Sequence, residues 1–205
     1  MANKIYTIGR EFGSGGREVG EKLAAKLGIK LYDKELLQQA AKDSGFCEEI
    51  FENHDEKPTN SFLYSLVMDT YSVSGYSAAP FLDMPLNHKV FLAQFETIKK
   101  IAEKESCVIV GRCADYILRD KNPLRIFVYA DMDFKLARCR QKGEPTETKN
   151  DAELKRKMNA IDRQRAQYYQ CHTGRTWGEK SGYDLCINMT SLEIKNVAAA
   201  IAGLS

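Results

Sequence analysis

From Gly9 to Glu18 the chain reads Gly-Arg-Glu-Phe-Gly-Ser-Gly-Gly-Arg-Glu, with four glycines among the eight residues from Gly9 to Gly16. Glycines at this density let several backbone N–H groups turn toward one point, and a helix opening directly after them adds its positive end. A phosphate held by the main chain is the ligand that such a loop suits. A tight strand-to-helix turn needs fewer glycines, so Gly13, Ser14, Gly15 and Gly16 are read as a phosphate cradle. The loop is not a clean GxGxxG dinucleotide fingerprint. Nor is it a clean GxxxxGK[ST]: Gly16 stands where the lysine belongs, and Arg17 falls one place later. Arg17 either supplies the missing charge from a shifted register or is an ordinary residue of the first helical turn.

Two further constellations carry arginines. The apolar run Val108-Ile109-Val110 delivers Gly111-Arg112 at its end, where open α/β sheets form their ligand crevice. Arg112 can grip a phosphate through two N–H groups or pair with Asp115. Further on, Leu154, Met158, Ile161, Arg165 and Tyr168 share one helical stripe, so Arg165 interrupts an apolar face. A buried arginine needs a partner. Asp162, three residues earlier, is one candidate, and a phosphate clamp supported by Arg163 and Arg156 is the other. Lys135, Arg138, Arg140 and Lys142 lie on a basic helix read as a solvated face from which Arg138 can reach a phosphate. His54, His88 and His172 lack metal-like spacing and are read as surface or core residues.

The elements that position these groups follow from periodicity. Lys4–Gly9 reads as a first strand and Arg17–Leu27 as a helix, with Val19, Leu23 and Leu27 four residues apart and Gly28 as its stop. Ile29–Tyr32 is a second strand, after which Asp33 caps a helix. Phe91, Phe95, Ile98 and Ala102 mark another helix. Cys107–Val110, Arg125–Tyr129 and Asp184–Asn188 read as strands, and a long helix runs from Asp151 to about Gln170. Thr190 and Glu193 form a capping box for a last helix. Residues 44–88, with Pro58, Gly75, Pro80 and Pro85, carry too many aromatics for a tether and read as an insertion covering the site, with a helix at Ser61–Tyr71. Residues 143–150 form a polar lid loop. Strands alternating with helices predict an α/β fold, a parallel sheet between helical layers.

The bulk composition bounds the rest. At 205 residues the chain is read as one domain, 1–205. It is 43% hydrophobic and 28% charged, and 30 basic residues against 28 acidic ones leave a formal charge of +2. That balance argues against a polybasic nucleic-acid or membrane binder, and no run approaches a membrane-spanning length. Six cysteines without a CxxC pair and no secretory signal lead to the expectation of reduced thiols in a cytoplasmic protein.

These motifs resemble the cytidylate kinase-like family, relatives of the bacterial CMP kinases among the P-loop nucleoside monophosphate kinases. The resemblance runs nearly end to end, through Ile8–Glu18, Leu31–Glu35, Cys107–Tyr116, Asp162–Arg165 and Tyr183–Asn188. It implies a P-loop NTPase three-layer sandwich with a five-stranded parallel sheet in the order 2-3-1-4-5, a helical insertion and a small lid. It also implies that Asp33 contacts the acceptor nucleotide, that Arg112 holds its phosphate, and that Asp162, Arg163 and Arg165 contact sugar and phosphate. The family's Asp-Gly-Arg-Asp segment is Val110-Gly111-Arg112-Cys113 here, and the loop lysine is absent.

The expected function is phosphoryl transfer from ATP to CMP, dCMP or a similar small phosphorylated acceptor. Residues 13–17 cradle the donor, while Arg17, Arg112 and Arg165 supply charge. Mg²⁺ is expected with ATP, without identifiable protein ligands. The alternative is a nucleotide-sensing module that kept the cradle and lost the metal site.

Overall fold

The computed structural model describes residues 3–45, 50, 56, 86–142 and 150–204. Its centre is β1, Ile5–Arg10, whose alternating side chains are buried on both faces. It pairs in parallel with β3, Cys107–Val110, in the register Ile5 with Cys107 to Ile8 with Val110. On its other side lies β4, Leu124–Tyr129, in the register Tyr6 with Leu124 to Arg10 with Val128. The outer strands are β2, Lys30–Tyr32, beside β3, and β5, Leu185–Asn188, beside β4. The order is β2-β3-β1-β4-β5 with every pair parallel, so all five strands end on one edge.

Helices cover both faces, as a sheet buried on two sides requires. Against one face pack α1, Gly16–Leu27, and α7, Ile194–Gly203; Val19 and Leu23 meet Tyr6, Ile8, Val108 and Ile126, with Val197 and Ile201 alongside. Against the other pack α3, Leu86–Lys104, α4, Ala114–Ile117, and α6, Asp151–Thr173. There Phe91, Ile98 and Ile101 close on Ile5, Cys107 and Ile109, with Ile117, Tyr168 and Tyr169. Strand residues alternate between the two cores, so one residue of slippage in β1 would exchange them. Two helices serve the edge: α2, Lys34–Ser44, packs on α3 through Leu37, Ala41 and Val90, and α5, Met132–Lys142, packs on α6 through Leu136, Cys139, Leu154 and Met158. Among the described residues no helix is long and apolar enough to cross a membrane.

Two expected caps use different bonds. Asp33 holds the N-cap position of α2, but its carboxylate makes no capping bond because arginines take it; Glu35 instead accepts from the Asp33 amide at 3.3 Å. The Thr190 hydroxyl accepts from the Asp131 amide at 2.9 Å and donates to Asn188, and α7 starts only at Ile194, without a side-chain cap. The expected helix at Ser61–Tyr71 and nearly all of the insertion and lid lie outside the described residues. Asn150, at the end of the lid segment, caps α6 by accepting from the Ala152 amide.

His172 belongs to the core. Its ring stacks on Phe91 at 3.8 Å between centroids, 5° from parallel, and Tyr168 meets it edge-on. Burial, assisted by the nearby His88, pushes His172 down to about 3, against 6.5 for an ordinary histidine. The unfolded chain therefore binds this proton first. The contribution to stability is complete above about pH 6.5 and is lost as pH falls toward 3, by up to about 1.4 kcal/mol per pH unit. Thermal midpoints measured downward from about pH 8 should drop below about pH 6.5, and His172→Phe should flatten the drop. Equal acid sensitivity in both proteins would exclude His172 as its source.

Candidate active site

The loop after β1 is folded by its glycines and seated by α5 and α6. Gly13 and Gly15 have φ of 76° and 91°, a region closed to most residues. A Cβ on Gly13 would lie 2.9 Å from Cys139 Sγ and 3.2 Å from Met158 Cε, so the loop rests directly on the α5–α6 packing. Asp162 fastens it, accepting from the Phe12 amide at 2.7 Å. Buried Ser14 turns its hydroxyl back to the Glu11 carbonyl at 2.9 Å. The first amides of α1, which have no intrahelical carbonyl, then face the sheet's edge as a positive helix end.

The cations around this loop differ from those expected. Arg17 does not point into it. Its Nε lies 3.0 Å from Asp33 Oδ2 and 3.4 Å from Glu21 Oε1, with half the side chain exposed. One residue beyond the lysine position is about 100° further round the helix, which turns the side chain toward β2. α5 supplies charge instead. Arg138 lies over Gly15, where a Cβ would sit 3.3 Å from its guanidinium carbon. Glu18 holds Arg138 at 2.6 Å and also pairs with Lys142, while Lys135 bonds Glu11 at 2.9 Å.

Next to the loop, three elements converge on one carboxylate. Glu56 accepts from Arg10 Nη1 and Nη2 at 2.8 and 3.4 Å, from Arg165 Nε at 3.1 Å and from the Arg112 amide at 3.3 Å. Its own carbonyl accepts from Gln164 at 3.2 Å. Burial alone would raise the Glu56 carboxyl, but Arg10 and Arg165 overcome this and hold it far below the usual range. Arg165 is itself lowered, by burial and then by the charge of Arg10, so the two guanidiniums repel across the anion they share. Arg165 also reaches the Arg10 carbonyl at 3.3 Å and Asp162 at 3.6 Å. Thus Asp162 binds both the loop and Arg165. Arg163 is exposed and stands outside this cluster.

The end of β3 is bent to serve the same point. Gly111, Arg112 and Cys113 are all left-handed, with φ of 76°, 54° and 56°. Two consecutive non-glycine residues there cost about 1–3 kcal/mol each. The bend aims the Arg112 amide at Glu56 and buries its guanidinium against Asp33 Oδ1 and the Val110 carbonyl, both at 3.1 Å. Asp115, the other partner considered for Arg112, instead accepts from the Tyr169 hydroxyl at 2.6 Å, and burial raises its carboxyl. A void of about 20 Å³ lies among Arg10, Glu56, Arg112, Asp115 and Tyr183, room for about one water.

Sequence reasoning singled out Arg112, Asp33, Asp162 and Arg165, which meet here, but missed Arg10 and Glu56. Arg10 ends a strand directly before a loop that lacks its own cation, which was a usable signal. Glu56 lies in an irregular stretch and gave none. Among the described residues no group of three His, Cys, Asp or Glu side chains is set to hold a metal. Glu11, Glu18, Asp33, Glu56 and Asp162 each hold a lysine or arginine.

The architecture has close counterparts. An uncharacterized protein from Eubacterium ventriosum is 30% identical over 98% of this chain and 98% of its own, with a TM-score of 0.70. A shikimate kinase from Bacteroides thetaiotaomicron shares the fold at 17% identity and a TM-score of 0.55, covering 98% of this chain and 97% of its own. No curated protein matches the sequence. The family model that matches is that of the cytidylate kinase-like proteins, over residues 5–191. With a P-loop kinase fold, a glycine-rich loop at its sheet edge and this match over most of its length, the chain belongs to the cytidylate kinase-like family.

Proposed function

We propose that this edge transfers a phosphoryl group from ATP to a small phosphorylated acceptor, with CMP or dCMP first in line. The observation that carries the reading is the convergence of Arg10, Arg165 and the Arg112 amide on one part-buried carboxylate beside a phosphate-type loop. In this reading the Glu56 carboxylate stands in for an anionic oxygen of the acceptor. The donor's phosphates lie on the amides of Gly13, Ser14, Gly15 and Gly16, with Arg138 above them. Asp33, flanked by Arg112 and Arg17, faces the rest of the acceptor nucleotide.

Transfer then needs positioning and charge neutralisation more than covalent help from the protein. An acceptor phosphate oxygen attacks the terminal phosphorus of ATP, the bond from that phosphorus to the bridging oxygen breaks, and ADP leaves with the electron pair. Arg165 and the Arg112 amide align the nucleophile; the loop amides and Arg138 take up charge on the leaving group. ATP is ordinarily used with Mg²⁺, but the edge carboxylates Glu11, Glu18, Asp33, Glu56 and Asp162 are already paired with cations and do not offer the metal a ligand as they stand.

The deciding experiment is acceptor-dependent release of ADP by the purified protein with MgATP and a panel of nucleoside monophosphates. ADP formation that requires CMP or dCMP supports the proposal. Nucleotide binding without ADP formation would overturn it in favour of a sensing module. Arg165→Ala should raise the KM for the acceptor by about tenfold to a hundredfold, the scale of a lost charged hydrogen bond of about 1.5–3 kcal/mol. Unchanged acceptor kinetics would remove Arg165 from the site.

Glu56 gives a second prediction. Glu56→Ala leaves two part-buried guanidiniums without their anion and should cost up to about 3–5 kcal/mol of stability, read as a lower thermal midpoint. Added inorganic phosphate should restore more of that loss than it adds to the unchanged protein. Equal phosphate effects on both would mean that the position does not accept a phosphate.

A further inference from the structure

The loop's missing lysine leaves the terminal phosphates of a donor without their usual cation, and Arg17 faces elsewhere. We infer that Arg10 takes the lysine's place, reaching the transferring phosphate from the end of β1 instead of from the first turn of α1. The inference rests on the reading of the loop as the donor cradle, but not on the identity of the acceptor.

Space is the first argument. A Cβ on Gly16 would lie 2.5 Å from Arg10 Cβ, 3.3 Å from Arg10 Cγ and 3.2 Å from Val128 Cβ. Arg10 Cβ is the root of its side chain and cannot swing aside as the far end of a flexible chain could. Gly16 is not among the positive-φ glycines and opens a regular helix, so its backbone does not demand glycine. Arg10 does. A lysine at 16 and the Arg10 side chain as it stands exclude one another, and the chain has the arginine.

Reach is the second argument. From its root over Gly16 the Arg10 side chain runs across the edge to Gly111, where a Cβ would lie 2.4 Å from Arg10 Nη1. One side chain therefore spans the ground between the start of α1 and the end of β3, the donor and acceptor sides of the site. It already holds an anion there, the Glu56 carboxylate, through both Nη atoms. A lysine offers a single compact charge, whereas the planar guanidinium offers a fork that can bind two phosphate oxygens.

The alternative role for Arg10 is a structural pair with Glu56 alone, and an exchange of residues separates the two. Four proteins are compared: the unchanged chain, Arg10→Gly, Gly16→Lys, and the double variant R10G/G16K. Thermal midpoints test the exclusion. Gly16→Lys should be destabilised, and adding Arg10→Gly should recover part of the stability, since it removes the nearest clashing atom and leaves only the 3.2 Å approach to Val128 Cβ. Calorimetric affinities for MgATP and MgADP test the role. Arg10→Gly should weaken MgATP by about tenfold to a hundredfold and MgADP by only a few fold, and R10G/G16K should regain most of the MgATP affinity. A purely structural role would lower both affinities together. Equal losses, no loss, no recovery in the double variant, or an unchanged chain that binds no MgATP would each overturn the inference. If the affinity pattern appears while no acceptor yields ADP, the transfer reading fails and the role of Arg10 in triphosphate binding stands.

Discussion

The edge of this sheet is organised by a problem of like charge. The ends of β1 and β3 and the face of α6 each bring an arginine to one place, and all three guanidiniums are largely withdrawn from water. Desolvation and mutual repulsion both oppose that arrangement, so it persists only with anions among the cations. Glu56 satisfies one part of it and Asp33 the other. The β3 bend and Arg165 of α6 are aimed at these two carboxylates, while Asp162 fastens the loop beside them. Each carboxylate touches groups from at least two elements separated widely in sequence.

The fold was legible because its signals are local. Apolar runs of four to six residues and helical stripes located the five strands of the sheet and the main helices, with boundaries shifted by up to three residues. The strand order came from family resemblance. What failed was reasoning by adjacency. Adjacency offers Arg17 as a cation for the loop, yet a helix turns successive side chains by about 100°, and that sends it to Asp33. Asp33 and Thr190 were read as caps from residue type alone. Tertiary demands took their oxygens elsewhere.

Half of the candidate site could be read from motifs and half could not. Asp162 and Arg165 lie on a regular helix whose face is calculable, and Arg112 comes just after the end of β3, so their convergence near the edge follows from strand order and helical stripe. Arg112 contributes differently than expected: its amide, not its guanidinium, meets the shared anion. That distinction depends on backbone dihedrals that residue types do not reveal, since arginine and cysteine give no warning of left-handed φ. Glu56 was invisible because its role comes from long-range contacts, 46 residues to Arg10 and 109 to Arg165.

The left-handed turn at Gly111, Arg112 and Cys113 has a consequence for anyone who would make this protein more robust. Replacement by glycine is the usual remedy for a strained residue, and at Arg112 it would relax the backbone. It would also remove the buried guanidinium that holds Asp33, while at Cys113 it would empty a packed position in the core. The strain therefore cannot be engineered away without dismantling what it supports. A chain selected for endurance alone would not keep such a bend, so this stretch is where stability has yielded to another requirement.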